Sequence, residues 1–367
     1  MQLFNVSKLL KKHTAYALAL SVFTFTACEQ DDNDTFIDDN DFAKVFVSSN
    51  TNSALTVFDL SPEFPVDNTP QSSVVGLVND DADGLHYNST TDVLYQLDRT
   101  NDRVSIYQNF SRNGASATLT PNSTSSSDFT NGREVTISPD GRYLVVAQDR
   151  DEKMDNRFMI YFITPFGLEL ERIYETPIDL WGIHFEGDHL FAVEDNTANL
   201  VGFYDFLTNE DGSTVEPTVR LNIEGARHLR GVDYDGVNDI MFLTDVGTLD
   251  RRKDGAIIVI TDFSQKAGKA LSVESPTLYQ SFGFLLSSEQ IRIKGSKTQL
   301  GDPMDVAFCR QNLQIYVAER LNNGGELLAF DLPVEIERGL VNTKPAFREA
   351  VTGASAVAIG ITDIPGF

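Results

Sequence analysis

Apolar and polar positions along this chain repeat one pattern: an apolar strand, a short turn rich in Asp and Asn, then a second apolar strand ending near an aromatic residue. The copies occupy residues 45–58, 94–107, 144–161, 190–204, 240–260 and 315–330. Ahead of most copies lies a further short element with alternating apolar positions: DGLHYN (83–88), REVTIS (133–138), WGIHFE (181–186), RGVDYD (230–235) and MDVAFC (304–309). Alternation with period 2 marks strands, and no stretch sustains a helical period. A strand-only unit recurring at roughly 50 residues predicts an all-β chain built as a β-propeller, each repeat forming one radial blade.

The chain ends set the number of blades. Residues 45–58 have no inner strand before them, whereas Ser355-Ala356-Val357-Ala358-Ile359 near the C-terminus reads as an inner strand without a partner pair. Joining the two completes a sixth blade from both ends and hides sheet edges that would otherwise pair with other chains. The long interval between Gly231 and Asp305 leaves seven blades as the alternative, with residues 264–301 as a degenerate blade; in the six-blade reading the apolar run 278–286 is instead a short helix or an outer-strand excursion. Residues 111–131, rich in Ser, Thr, Asn and Gly, read as an outer strand with a loop.

The run Ser138-Pro139-Asp140-Gly141 after the second inner strand is a tight-turn sequence, with Pro presetting φ and Asp-Gly turning the chain. It resembles the SPDG turn of YVTN and TolB-like propellers, and the blade segments resemble YVTN or NHL repeats over roughly residues 43–364. The resemblance implies architecture and says little about chemistry.

The amino terminus carries Lys8, Lys11 and Lys12, an uncharged apolar run over 15–27, and then Cys28. Such a run is short for a bilayer span and reads as an export signal. Phe25-Thr26-Ala27-Cys28 resembles a bacterial lipobox, with Phe where Leu is usual. It implies removal of residues 1–27 and lipidation of Cys28. The acidic stretch Glu29-Gln30-Asp31-Asp32-Asn33-Asp34 resembles the signal that sends lipoproteins of Bacteroidetes-type bacteria to the outer face of the outer membrane. Residues 28–42 then form an acidic tether that buries too little apolar surface to fold, and 43–367 form one propeller domain.

Loss of the leader removes three of 29 basic residues and none of 54 acidic ones, so a formal net charge of -25 becomes -28. That charge excludes a nucleic-acid binder and favours cationic or neutral partners. With Cys28 acylated, Cys309 is the one remaining thiol, so no intrachain disulfide forms and stability rests on packing.

Propeller ligands collect at the central channel, where inner strands converge. Aligning the copies puts Asp83, Arg133, Trp181, Arg230, Met304 and Ser355 at one ring position, followed by Gly84, Glu134, Gly182, Gly231, Asp305 and Ala356. The expected ligand-binding residues are Asp83, Arg133, Glu134, Trp181, Arg230 and Asp305. The two arginines suit carboxylate or sulfate groups, and the tryptophan suits a sugar face. Asn79, Asp81, Asp83 and Gly84 partly match a calcium loop, although Thr90 stands where a bidentate Glu belongs. Gluconolactonase-like six-bladed propellers hold a catalytic divalent ion in the channel, and resemblance to them makes Glu134, Asp233, Asp302 and Asp305 the metal candidates. His86 and His184 share one repeat position and are expected to be structural. The sequence as a whole predicts a monomeric, lipid-anchored binding module for a small molecule, glycan or envelope protein, without a required cofactor. The alternatives are a divalent-metal-dependent hydrolase or lactonase, calcium being the candidate ion, and a pure envelope scaffold.

Overall fold

A computed structural model describes residues 42–60, 71–77, 81–110, 118–152, 154–248, 253–273, 281–333 and 339–362. Cys28, the flanking leader and tether, and Asn79 lie outside the described residues. The strands form six sheets arranged as the blades of a β-propeller.

Blade 1 joins the two chain ends: Ala354–Thr362 is its inner strand, followed outward by Phe42–Ser49, Ala54–Asp59 and Gln71–Gly76. The closing pair is antiparallel, with Val45 opposite Ile359 and Phe46 opposite Ala358. Inner strands Ala82–Asn88, Gly132–Ile137, Leu180–Glu186, Leu229–Asp235 and Pro303–Cys309 open blades 2 to 6. All match the inner elements read from the sequence.

Two local features explain why these segments form blades. The turns between paired strands place Asp92, Asp102, Asn196 and Asp239 at positive φ, a region that Asp and Asn enter more readily than other non-glycine residues. At Ser138-Pro139-Asp140-Gly141, the N–H of Gly141 donates to the Ser138 carbonyl at 2.8 Å and Gly141 itself has φ of 71°. The core is divided by seam: six apolar clusters each pack the facing sides of two neighbouring blades. Phe58, Tyr107, Tyr161 and Phe330, from the aromatic strand ends, are buried there. In the fourth repeat Phe203 takes that place, while Tyr204 faces outward against His189.

The interval between Gly231 and Asp305 is not a seventh blade. Helix α1 (Phe263–Val273) packs against the seam of blades 4 and 5, and Ser281–Leu285 adds to the outer edge of blade 4, parallel to Val219–Ile223. Blade 6 likewise lends Gly339–Val341 to the edge strand Ile291–Lys294 of blade 5. Shorter parallel bridges, Thr118 to Gly76 and Thr214 to Glu175, tie blade 2 to blade 1 and blade 4 to blade 3. Each loan covers an outer edge that would otherwise be an open template for pairing.

Candidate functional site in the central channel

Every inner strand carries one residue more than its partner at the same place. The register shifts fall between Ala82 and Leu85, Gly132 and Glu134, Leu180 and Ile183, Leu229 and Val232, and Pro303 and Asp305, and opposite Val47 to Ser49 in blade 1. Such a bulge bends the strand and re-aims its side chains. Six of them in register turn the aligned ring residues toward the axis.

Above the bulges the channel mouth is filled by its own side chains. The Trp181 indole lies between the guanidinium groups of Arg133, from blade 3, and Arg230, from blade 5, at 4.1 and 3.9 Å. Both arginines carry counter-ions: Arg133 pairs with Asp149 at 3.2 Å and lies 3.9 Å from Asp83, and Arg230 pairs with Asp195. Arg99 reaches Asp83 at 3.3 Å and Asp81 at 3.7 Å, and Arg320 holds Asp302 at 2.8 Å. Burial outweighs the neighbouring arginines at Asp83 and raises its pKa to about 6. Burial, reinforced by Arg133, lowers Arg230 to about 10.

This geometry corrects the expected role of Trp181, because two cations already cover the ring that was to stack on a sugar. Trp181 is the chain's only tryptophan and is 8% exposed, so its fluorescence reports this mouth alone. Acrylamide should quench it weakly in the native state and strongly after unfolding.

Sequence reasoning missed half of the mouth. Arg99, Asp149, Asp195 and Arg320 each follow the last residue of a second strand, and those last residues include the fully buried Asp98, Gln148 and Glu319. Glu319 accepts hydrogen bonds from the backbone N–H groups of Gly301, Asp302, Leu321 and Asn322. The available signal was a polar residue ending each apolar run, with a charged residue next to it.

The channel waist is built from the following ring position. A Cβ on Gly84 would lie 2.5 Å from Glu134 Cα, one on Gly182 2.5 Å from the Arg230 carbonyl oxygen, and one on Gly231 2.7 Å from Asp305 Cα. Glycine therefore permits the closest approach of neighbouring blades. The two carboxyl groups in this ring staple the seams. Oε1 of Glu134 accepts from Leu85 and Val135 at 3.1 and 2.9 Å, and Asp305 accepts from Val306 and Val357 at 2.8 Å each.

Below the waist a cavity of about 400 Å³ opens, with Glu134 and Asp305 in its wall. The next channel-facing position contributes His86, Thr136, His184 and Asp233 from blades 2 to 5, and Ala307 and Ala358 from blades 6 and 1. Four of these six positions are thus polar and two apolar, the apolar side extended by Phe308 and Ile359. His184 Nδ1 lies 3.1 Å from Asp233 Oδ1, while Asp233 Oδ2 accepts from Phe308 N at 2.7 Å. Burial, helped by His184, lowers His86 to about 4 and keeps it neutral at physiological pH. Burial raises Asp305 to about 7, and burial together with Asp305 raises Glu134 well above its ordinary value.

The proposed metal ligands are not brought together. Glu134, Asp233 and Asp305 share the cavity, but Asp302 is in the mouth with Arg320. Among the described residues no three His, Cys, Asp or Glu side chains are placed to hold one ion. In the calcium-like loop, Asp81 and Asp83 are engaged by Arg99. Cys309 is buried beside Tyr316 and Ala318 as a core residue.

No protein-family model and no curated protein matches the sequence. Solved structures do match. A chain in the crystal structure of a nidogen/laminin complex aligns with TM-score 0.58 and 13% identity, covering 86% of this chain and 98% of that one. A functionally unknown protein from Desulfotomaculum acetoxidans gives 0.52 and 9%, covering 87% and 99%. A putative 6-phosphogluconolactonase from Bacteroides fragilis gives 0.50 and 11%, covering 88% and 98%. The shared feature is the propeller fold.

Proposed function

We propose that this protein is a recognition module that takes a small molecule into the lower half of its channel, held at the outer membrane surface through a lipid on Cys28. The observation that carries the binding site is the two-sided cavity, in which five acid and histidine side chains, one from each of blades 2 to 6, share the wall with an apolar patch from blades 6 and 1. Concave sites of a few hundred Å³ with a few convergent polar groups are where small ligands bind. The neighbouring grooves, at the seam of blades 2 and 3 and beside α1, gather no comparable set of acids and histidines. The mouth network leaves the lower opening as the entrance.

The test is a thermal-shift screen of sugars, amines and carboxylates against the protein and its Ala358→Leu variant. Leucine at this channel position fills the apolar half of the cavity. A true ligand raises the apparent stability of the parent, since it binds only the folded state, and leaves the variant's unchanged. Equal shifts in both would remove the channel as the site.

The anchor rests on the lipobox-like sequence ending at Cys28. Replacing Cys28 by Ala should move the protein from the membrane fraction to the soluble fraction and abolish labelling by a fatty-acid analogue. Hydrolysis is the second reading, supported by the His184–Asp233 pair beside two carboxyl groups of raised pKa. Turnover of ester or lactone substrates, lost in His184→Ala and retained in EDTA, would establish it.

A further inference from the structure

We propose that the channel ligand is a small organic amine, bound as its ammonium ion between Glu134 and Asp305. The inference rests on the reading of the channel cavity as the ligand site and names its ligand class.

In a ring of six blades, blades 3 and 6 stand opposite, so Glu134 and Asp305 approach the axis from facing walls. The other four positions of that ring are Gly84, Gly182, Gly231 and Ala356, none of them ionisable, and both acids line the cavity below. Among the described residues no Lys, Arg or His acts on either acid. The arginines nearest in the fold, Arg133 and Arg230, lie across Trp181 in the mouth and are matched there with Asp149 and Asp195.

A buried acid pair without a counter-charge is complementary to a ligand that supplies one. Burial raises the pKa of both acids, with Asp305 adding repulsion at Glu134 and Asp233 adding it at Asp305. Of the other titratable groups facing the cavity, His86 stays neutral and His184 is engaged by Asp233. Asp83, on the mouth side, adds further negative potential at both acids.

The remaining hydrogen-bonding capacity selects an amine over a metal ion. Oε2 of Glu134 accepts no hydrogen bond within the described residues, whereas both Asp305 oxygens already accept one backbone N–H. An ammonium group has three donors and bonds to second lone pairs on oxygens already in use. A calcium ion takes about six to eight oxygen ligands, and among the described residues no three His, Cys, Asp or Glu side chains are placed to share one ion. The hydrocarbon part of the amine has a matching wall in Ala307, Phe308, Ala358 and Ile359. The acidic surface of the chain also draws cations toward the opening.

Calorimetric titration with benzylamine and with the neutral isostere benzyl alcohol, at about pH 6 and about pH 8, tests this. Benzylamine is cationic at both, so any change in affinity across the interval arises from the protein. Benzylamine should bind, benzyl alcohol should not, and the amine's affinity should rise about tenfold from the lower to the higher pH as Asp305 ionises. Buffers of different ionisation enthalpy should show protons released on binding. Glu134→Gln and Asp305→Asn should each lower the affinity at least about tenfold, and if either fails to fold, proton release by the parent protein decides.

Equal binding of the alcohol, an affinity that does not rise with pH, or no amine binding would overturn the amine assignment. A ligand of another class whose binding Ala358→Leu abolishes would overturn it too, while sparing the channel as the site. Amine binding indifferent to Ala358→Leu would overturn both.

Discussion

Replacing Gly231 by alanine is expected to lower the stability of the propeller by about 3 kcal/mol or more, among the largest effects of any single methyl group in this chain. The new Cβ would lie 2.7 Å from Asp305 Cα, 2.8 Å from the Val306 nitrogen and 2.9 Å from Asp305 Oδ1. Two of these atoms are backbone of the neighbouring blade, so no side-chain rotation relieves the contact. Widening the seam would also disturb the Asp305 carboxylate and its bonds to Val306 and Val357. Gly182→Ala, against the Arg230 carbonyl, should behave alike.

Gly268, in α1, is the contrast. Nothing lies within 4 Å of its absent Cβ, so Gly268→Ala should stabilise by about 0.5–1 kcal/mol through helix propensity alone. Thermal or denaturant unfolding of the three variants measures the difference. Equal stability of Gly231→Ala and the parent would mean that the inner strands do not approach as closely as drawn.

The second large effect is a loss of stability as pH rises. Asp83 is raised to about 6 and Asp305 to about 7, from ordinary values of 3.8, and Glu134 is raised well above 4.5. Between the unfolded and folded values the unfolded chain has released these protons while the folded chain retains them. Stability therefore falls with pH across that window. For Asp305 the contribution is fully present below about pH 4 and lost as pH rises through about 7, and Glu134 acts in the same direction. The shift at Asp305 alone corresponds to roughly 4 kcal/mol as an upper figure, since one pKa unit is about 1.4 kcal/mol.

Asp235 and Asp239 act in the opposite sense. Hydrogen bonds, from Arg310 and Asn238 to the first and from Ser264 to the second, outweigh burial and hold their carboxyl groups below the usual value. Their contribution is present above the ordinary carboxylate pKa and lost in stronger acid. Maximum stability should thus sit near pH 5, with the melting temperature falling toward pH 8. Asp305→Asn should flatten the alkaline side of that curve. A melting temperature that rises from pH 5 to pH 8 would contradict the buried, uncompensated state of the acid pair.

The blades are encoded locally along the chain. Alternation of apolar positions, Asp and Asn at the turns, and the unpaired strand at each end are properties of residues near one another in the chain. They specified six repeats, the inner strand of each, and closure between residues 45–49 and 354–359, all of which the fold contains. The same alignment placed Glu134 and Asp305 in one ring, because equivalent positions in a closed repeat converge on the axis whatever their side chains.

What those side chains meet depends on the closed ring. Asp302 and Asp305, three residues apart, separate into the mouth and the waist because a bulge lies between them. Trp181 acquires two arginines from flanking blades. His184 finds Asp233 one blade away and about 50 residues on. The strand 281–285 leaves its own blade to cover the edge of the preceding one. These contacts cross seams, and a seam exists only once the ring has closed, so no local periodicity in the chain encodes which partner stands on its other side.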